Sequence, residues 1–461
     1  MVNENCNFYA DKPCYVYGNI MSLVGGDDFA RIREVKEYAF AYFFSDSYTS
    51  LSWAWVLSKD GENLLLPATT LASSCYYNMF KGCTGLATAP ELPAMTLAER
   101  CYSGIFYNCT GLTTAPELPA TTLAVNCYNS MFDGCTSLTT APELPATTLV
   151  NNCYGRMFAG CTGLTTVPWL PATTLANNCY SYMFYGCTGL TTVPKLHATT
   201  LANYCYDGMF YNCMNLVSAP ELPAITLANN CYDKMFYGCT SLVNAPELPA
   251  TTLKENCYNS MFYDCTSLTS APELPAVTLA SRCYQLMFSG CTSLTTAPEL
   301  PATTLANNCY NEMFYNCTSL VIAPELPATT LTEKCYQHMF SDCTSLITAP
   351  ELPATTLAND CYNFMFSYCT SLVNAPTELP ATTLANNCYN SMFYGCTSLA
   401  IAPELPATTL VTSCYNSMFF GCTNLAYIKA MFTTTPGRSY NKDWVNNVKA
   451  TGTFVKNSAA N

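Results

Sequence analysis

Twenty-eight of the thirty cysteines in this chain fall into fourteen pairs with one fixed separation, and no other feature constrains its folding as tightly. The first members are Cys75, Cys101, Cys127, Cys153, Cys179, Cys205, Cys231, Cys257, Cys283, Cys309, Cys335, Cys361, Cys388 and Cys414. Successive members are 26 residues apart, except for 27 between Cys361 and Cys388, where Thr377 is inserted. The second members, Cys83 through Cys422, follow eight residues later. Around them recurs the unit A-P-E-L-P-A-T-T-L-A-N-N-C-Y-N-S-M-F-Y-G-C-T-S-L-T-T, closely matched by residues 297–322. Such a register marks a repeat array, in which a single unit cannot bury its own apolar face and neighbours must stack.

Within one unit, Leu305, Cys309, Tyr310, Met313 and Phe314 are spaced so as to share one helical face. Thr304 suits the N-cap of that helix, and the Gly, Asn or Asp before the second cysteine (Gly82, Asn108, Asp264, Gly290) suits its left-handed stop. The Thr-rich stretch 292–297, closed by a proline, predicts a short strand. Each coil is therefore expected to hold one short parallel strand and one short helix.

Composition sets the boundaries of function. Half the residues are hydrophobic and 11% are charged, enough to build a large core. The formal charge of -13, with no basic stripe, disfavours nucleic acid and anionic membrane surfaces. No apolar run is long enough to span a membrane, and residues 1–11 lack the pattern of a secretory signal, so export is not indicated by this chain.

The repeat core C-Y-x-x-M-F-x-x-C-T-x-L, as in residues 257–268, resembles the I-G-x-x-A-F-x-x-C-x-x-L core of BspA-like (treponemal-type) leucine-rich-repeat surface proteins. The resemblance covers about residues 67 to 428, and departs in its longer unit, in Cys-Tyr for Ile-Gly and in Met for Ala. It implies a right-handed α/β leucine-rich-repeat solenoid of about fourteen 26-residue repeats, with residues 1–66 as an N-terminal cap holding a partial repeat and 429–461 as a C-terminal cap. The N-terminal cap is irregular and aromatic, at 38–44 and 53–57; in the C-terminal one, Asp443, Trp444 and Val445 read as a short helix and 452–455 as a terminal strand. The resemblance also implies an extracellular, cell-surface or virion setting, as in bacterial adhesins and similar phage arrays.

The cysteines show neither C-x-x-C spacing nor a Cys/His cluster, so no metal or other cofactor is expected. Stacked buried thiols are the favoured reading, with disulfides the alternative; either is structural. Histidine chemistry is weakly supplied, because His197 replaces a turn proline and His338 is expected at an exposed helix position five repeats on. Glutamate recurs at one position (Glu91, Glu117, Glu143, Glu221, Glu247, Glu273, Glu299, Glu325, Glu351, Glu378, Glu404), a column of like charges expected to lie in water. Trp169 and Lys195 interrupt it.

Tyr76 through Tyr415, after each first cysteine, and the Phe80-type residues recur in every repeat and read as core, with the phenol hydroxyls reaching an edge. A second aromatic position varies between copies and is expected to face solvent, where Tyr107, Tyr185, Tyr211, Tyr237, Tyr263, Tyr315 and Tyr394 form a candidate binding surface together with Trp169 and Lys195. Strand positions such as Thr113-Thr114, Val321-Ile322 and Ile347-Thr348 are expected to point alternately in and out. The sequence therefore predicts a non-enzymatic module that binds a host or cell-surface protein or glycan along an extended face. The alternative is a passive spacer or stalk of a bacterial surface or phage virion protein.

Overall fold

Around each cysteine pair the backbone turns left-handed at every fourth residue: φ is 55° at Ser74, 51° at Asn78 and 78° at Gly82, and likewise 54°, 55° and 76° at Arg282, Leu286 and Gly290. The computed structural model describes residues 14–45, 55–56, 58–59, 62–433 and 438–459, and the chain divides into two units, Met1–Pro223 and Ala224–Asn461.

In the first unit, the N–H groups of Cys75, Tyr77, Met79, Lys81 and Cys83 donate to carbonyls three residues back, at 3.0 to 3.4 Å. The intervening N–H groups, of Ser74, Tyr76, Asn78, Phe80 and Gly82, donate to Glu99, Cys101, Ser103, Ile105 and Tyr107 of the following coil, at 2.7 to 3.0 Å. The second unit repeats the scheme, with Tyr284 donating to Cys309 and Phe288 to Met313. Odd and even positions thus divide the work, and the backbone polar groups of this buried segment find partners without a helix. The result is a ribbon of successive β-turns, every other one carrying a left-handed third residue as in a type II turn.

The short helix expected in each coil is therefore absent. Among the described residues, α-helix occurs at Ser22–Gly25 and Arg438–Asn441, both outside 67–428. A helix would send every N–H to a carbonyl four residues back and leave the next coil no backbone partner. Thr304, expected to cap that helix, instead forms a parallel bridge with Thr278. The expected helix at Asp443 to Val445 is likewise displaced: Arg438–Asn441 precedes it, and Asp443 is itself left-handed at φ 54°.

The strands are parallel, as expected, but shrink to isolated bridges such as Thr88 with Thr114 and Thr296 with Ile322. A single bridge establishes no pleat. Val321 and Ile322 are accordingly both exposed, as are Thr113 and Thr114 and Ile347 and Thr348, which corrects the expected in-and-out alternation. Between the bridges runs A-P-E-L-P-A, whose prolines have no N–H to donate.

Inside each unit, residues sharing a repeat position stack as columns. Tyr76 lies on Tyr102 and Phe80 on Phe106, with ring centroids 5.8 and 5.7 Å apart and planes within 7°. The offset spacing follows from rings carried on successive coils. The twenty-eight cysteines of the paired columns are free and buried. Along the second column, cysteines donate from Sγ to the phenylalanine carbonyl of the preceding coil, for example Cys109 to Phe80 at 3.0 Å and Cys291 to Phe262 at 3.1 Å. Contrary to expectation, the hydroxyls of Tyr76, Tyr102 and Tyr154 do not reach an edge: they are buried without a hydrogen-bond partner. Each costs desolvation that ring burial must offset.

At the start of the first unit Gly18–Asn19 pairs in parallel with Glu62–Leu65, and Glu34–Val35 with Thr70–Leu71. Residues 38–44 form a further stretch of turn ribbon, with Phe40 stacked on Tyr76 and Phe44 on Phe80. Trp53, Leu57 and residues 1–11 lie outside the described residues. The second unit ends on Tyr427–Ala430, paired in parallel with Thr453–Lys456, and on Trp444, which packs against Phe419, Phe432 and Phe454.

Candidate functional site

The outward face of the turn ribbon carries the variable aromatic position. It directly follows the core phenylalanine and precedes the left-handed residue, so its side chain lies at the ribbon's rim. Tyr107, Tyr185, Tyr211, Tyr237, Tyr263, Tyr315 and Tyr394 are half-buried there. Much of that burial is mutual: Tyr237 and Tyr263 stack at 4.4 Å with planes 7° apart, and Tyr394 stacks on Phe420 at 4.8 Å. In these pairs one ring covers a face of the other.

In the first unit, Tyr182 joins this cluster from the left-handed position of its ribbon, 6.0 Å from Tyr185 and 6.2 Å from Tyr211. Cations lie over two of the rings, Lys81 Nζ at 5.0 Å from Tyr107 and Arg156 Cζ at 5.7 Å from Tyr185. Arg156 is held by Asp133 at 3.0 Å, and this pairing partly counters the burial that raises the Asp133 carboxyl. In the second unit, desolvation followed by the Asp342 carboxylate lifts the Tyr315 phenol.

His338, expected on an exposed helix position, is half-buried and left-handed at φ 52°, and stacks on Phe364 at 4.7 Å. Burial lowers its pKa while Asp342 opposes the shift. A period-four turn ribbon places this residue in line with ring neighbours of the adjacent coil, where a helix would have turned it outward.

Trp169 and Lys195 occupy a different surface, the A-P-E-L-P stretch, and both are exposed, Trp169 by 59%. The sequence-derived candidates thus divide into a ribbon group and a proline-stretch group. All eleven glutamates of the interrupted column are exposed. Where the next coil offers a donor they accept it: Lys429 Nζ meets Glu404 at 2.8 Å, and the inserted Thr377 gives Glu351 its N–H and hydroxyl at 3.2 and 3.1 Å.

Sequence reasoning missed an apolar strip in the second unit. Ile322 and Ile401 lie at bridge positions, and Val321, Ile347 and Val373 directly precede the bridge positions of their coils, all exposed by 38 to 65%. Their signal was present as Val or Ile where other repeats carry Thr, Ser or Asn, but it was masked by the assumption that half of a strand's residues face inward.

The family model for the BspA type leucine rich repeat region matches in six overlapping copies, residues 66–191, 99–243, 174–295, 206–347, 255–400 and 354–443. The chain belongs to this family. Neither the curated proteins nor the solved structures contain a match to it. BspA-type repeats imply a repeat solenoid that serves as a protein-interaction or surface module, generally without enzymatic activity, and family members are typically surface or secreted proteins of bacteria. Among the described residues of this BspA-type chain, no helix is long and apolar enough to cross a membrane.

Proposed function

We propose that this BspA-type chain is a non-catalytic adhesion module, displayed on a cell or virion surface, that holds a host protein or glycan against the outer rim of its coils. The observation that carries this reading is the separation of repeat-invariant from repeat-variant positions. The invariant Cys, Tyr, Phe and Leu columns face inward and satisfy the backbone within each unit, whereas positions such as 185, 211, 237 and 263 vary and sit at the rim. A scaffold whose stability does not depend on its rim leaves that rim free for recognition. Half-exposed tyrosines line this rim, with Lys81 beside Tyr107 and Arg156 beside Tyr185, and tyrosine and arginine are enriched where proteins meet partners.

The test is retention of the full chain on host cells, mucin and a glycan array, beside a variant carrying Tyr185→Ala, Tyr211→Ala, Tyr237→Ala and Tyr263→Ala. Retention by the parent and its loss in a variant of unchanged circular dichroism is expected. Equal retention by both, or none by the parent, overturns the reading.

A further inference from the structure

One furrow in the unit Ala224–Asn461 differs in chemistry from the furrow one coil before it. It lies between stretches 296–301 and 322–327 of successive coils and encloses about 460 Å³. Its walls are Pro298 and Pro301 on one side and Pro324 on the other, Ile322 closes one end, and Glu299 and Glu325 are exposed beside it. The furrow exists because of the prolines: neither 297–302 nor 323–328 makes a backbone hydrogen bond among the described residues, so the two coils part between their bridges. An exposed stretch with unpaired amides and carbonyls is a template for an added extended chain.

Ile322 sets this furrow apart. Its side chain is 65% exposed, where the bridge position of the flanking coils holds Thr296 and Thr348, and it continues into the apolar strip formed by Val321 and Ile347. The neighbouring furrow, between 271–275 and 298–301, follows bridge residues Ser270 and Thr296 and has no such apolar end.

The charges indicate the occupant. Glu299 and Glu325 make no ion pair or hydrogen bond among the described residues. The same column elsewhere in this unit shows what it takes when a donor is within reach: the ammonium of Lys429 at Glu404, and an N–H and hydroxyl at Glu351. The whole chain carries a formal charge of -13, which favours the approach of a cationic partner.

We propose that the furrow between 296–301 and 322–327 docks an extended peptide segment in which basic residues alternate with apolar ones. The basic side chains reach Glu299 and Glu325, the apolar ones cover Ile322 and the prolines, and the backbone meets the unpaired amides of the walls. This deepens the binding-module reading by naming a partner chemistry for a surface other than the tyrosine rim. Its failure therefore leaves the rim experiment to decide the broader reading.

The probe is an acetylated, amidated and fluorescently labelled hexapeptide of alternating Leu and Lys, measured by anisotropy against the full chain. Controls of the same length alternate Ser with Lys and Leu with Glu. Saturable binding of the Leu/Lys peptide is expected, at least about tenfold tighter than either control. The double variant Glu299→Gln, Glu325→Gln should weaken it at least about tenfold, and Ile322→Thr about threefold or more. The pair Glu117→Gln, Glu143→Gln, which removes the same charge from the other unit, should leave it unchanged. All are exposed positions, and a thermal melt of each variant checks folding. Equal binding of the Ser/Lys peptide, equal loss from both glutamate pairs, or no binding of the Leu/Lys peptide at millimolar concentration overturns the proposal.

Discussion

Raising the pH should dismantle these coils from inside. Burial pushes the thiols of Cys75, Cys127, Cys179, Cys231 and Cys309 from an ordinary 9.0 up to about 12, and lifts the phenols of Tyr128 and Tyr284 well above their ordinary 10.0. These acids stay protonated in the folded state and ionise in the unfolded chain at their ordinary values. Their contribution to stability is complete below about pH 9 and is lost as pH rises from there towards the folded-state values near 12. At pH 10 the loss is about 1.4 kcal/mol for each thiol and about 0.4 kcal/mol for the tyrosine, or roughly 3 kcal/mol for a coil holding two thiols and one phenol. Over the four coils from Cys101 to Cys187, in which burial raises both thiols and the phenol, that reaches about 13 kcal/mol, comparable to the whole 5–15 kcal/mol net stability of a typical folded domain. The assay steps a reduced sample from pH 8 to 11 while following far-ultraviolet circular dichroism, tyrosinate absorbance and thiol reactivity. Loss of structure should coincide with one steep rise in thiolate and core tyrosinate between about pH 9 and 10.5. Gradual ionisation of thiols and core phenols with the dichroism unchanged would refute the reasoning, because it would mean that the columns are already wet.

Three further outcomes follow from the same architecture. Asn308→Ala, at φ 56°, should destabilise by about 1 to 2 kcal/mol in thermal unfolding while Asn308→Gly stays near neutral; a gain with Ala would point to a helix instead. Phe288→Ala, which removes a ring stacked between Phe262 and Phe314, should cost about 3 to 5 kcal/mol in urea titration. Iodoacetamide should leave the twenty-eight cysteines of the paired columns unmodified in the native protein and label all of them in denaturant, read by intact mass; native labelling of several would contradict their burial.

Much of the candidate surface was legible before the structure, and the reason is repetition. Fourteen copies display substitution at each position, so Tyr76 and Cys83 declare themselves inward by never changing, and the positions of Tyr237 and Tyr263 declare tolerance by changing often. The stacking of Tyr237 on Tyr263 was not legible, because it depends on ribbons lying one coil apart. The middle left-handed position also gave no signal: it holds Arg156, Tyr182, Leu286 and Phe364, whereas its neighbours four residues away are mostly Asn or Gly.

The amino-acid sequence by itself determined the 26-residue register, the residues that face inward and hence the need for coils to pack on one another. Only the tertiary structure decided that the cysteine segment is a turn ribbon. Positions i, i+4, i+5 and i+8 share a face in a helix and in a period-four ribbon alike, so the burial pattern does not separate the two. What separates them is where alternate N–H groups go. In this protein they go to carbonyls 25 residues further on, as Tyr76 to Cys101, and that acceptor is within reach only once the next coil is in place.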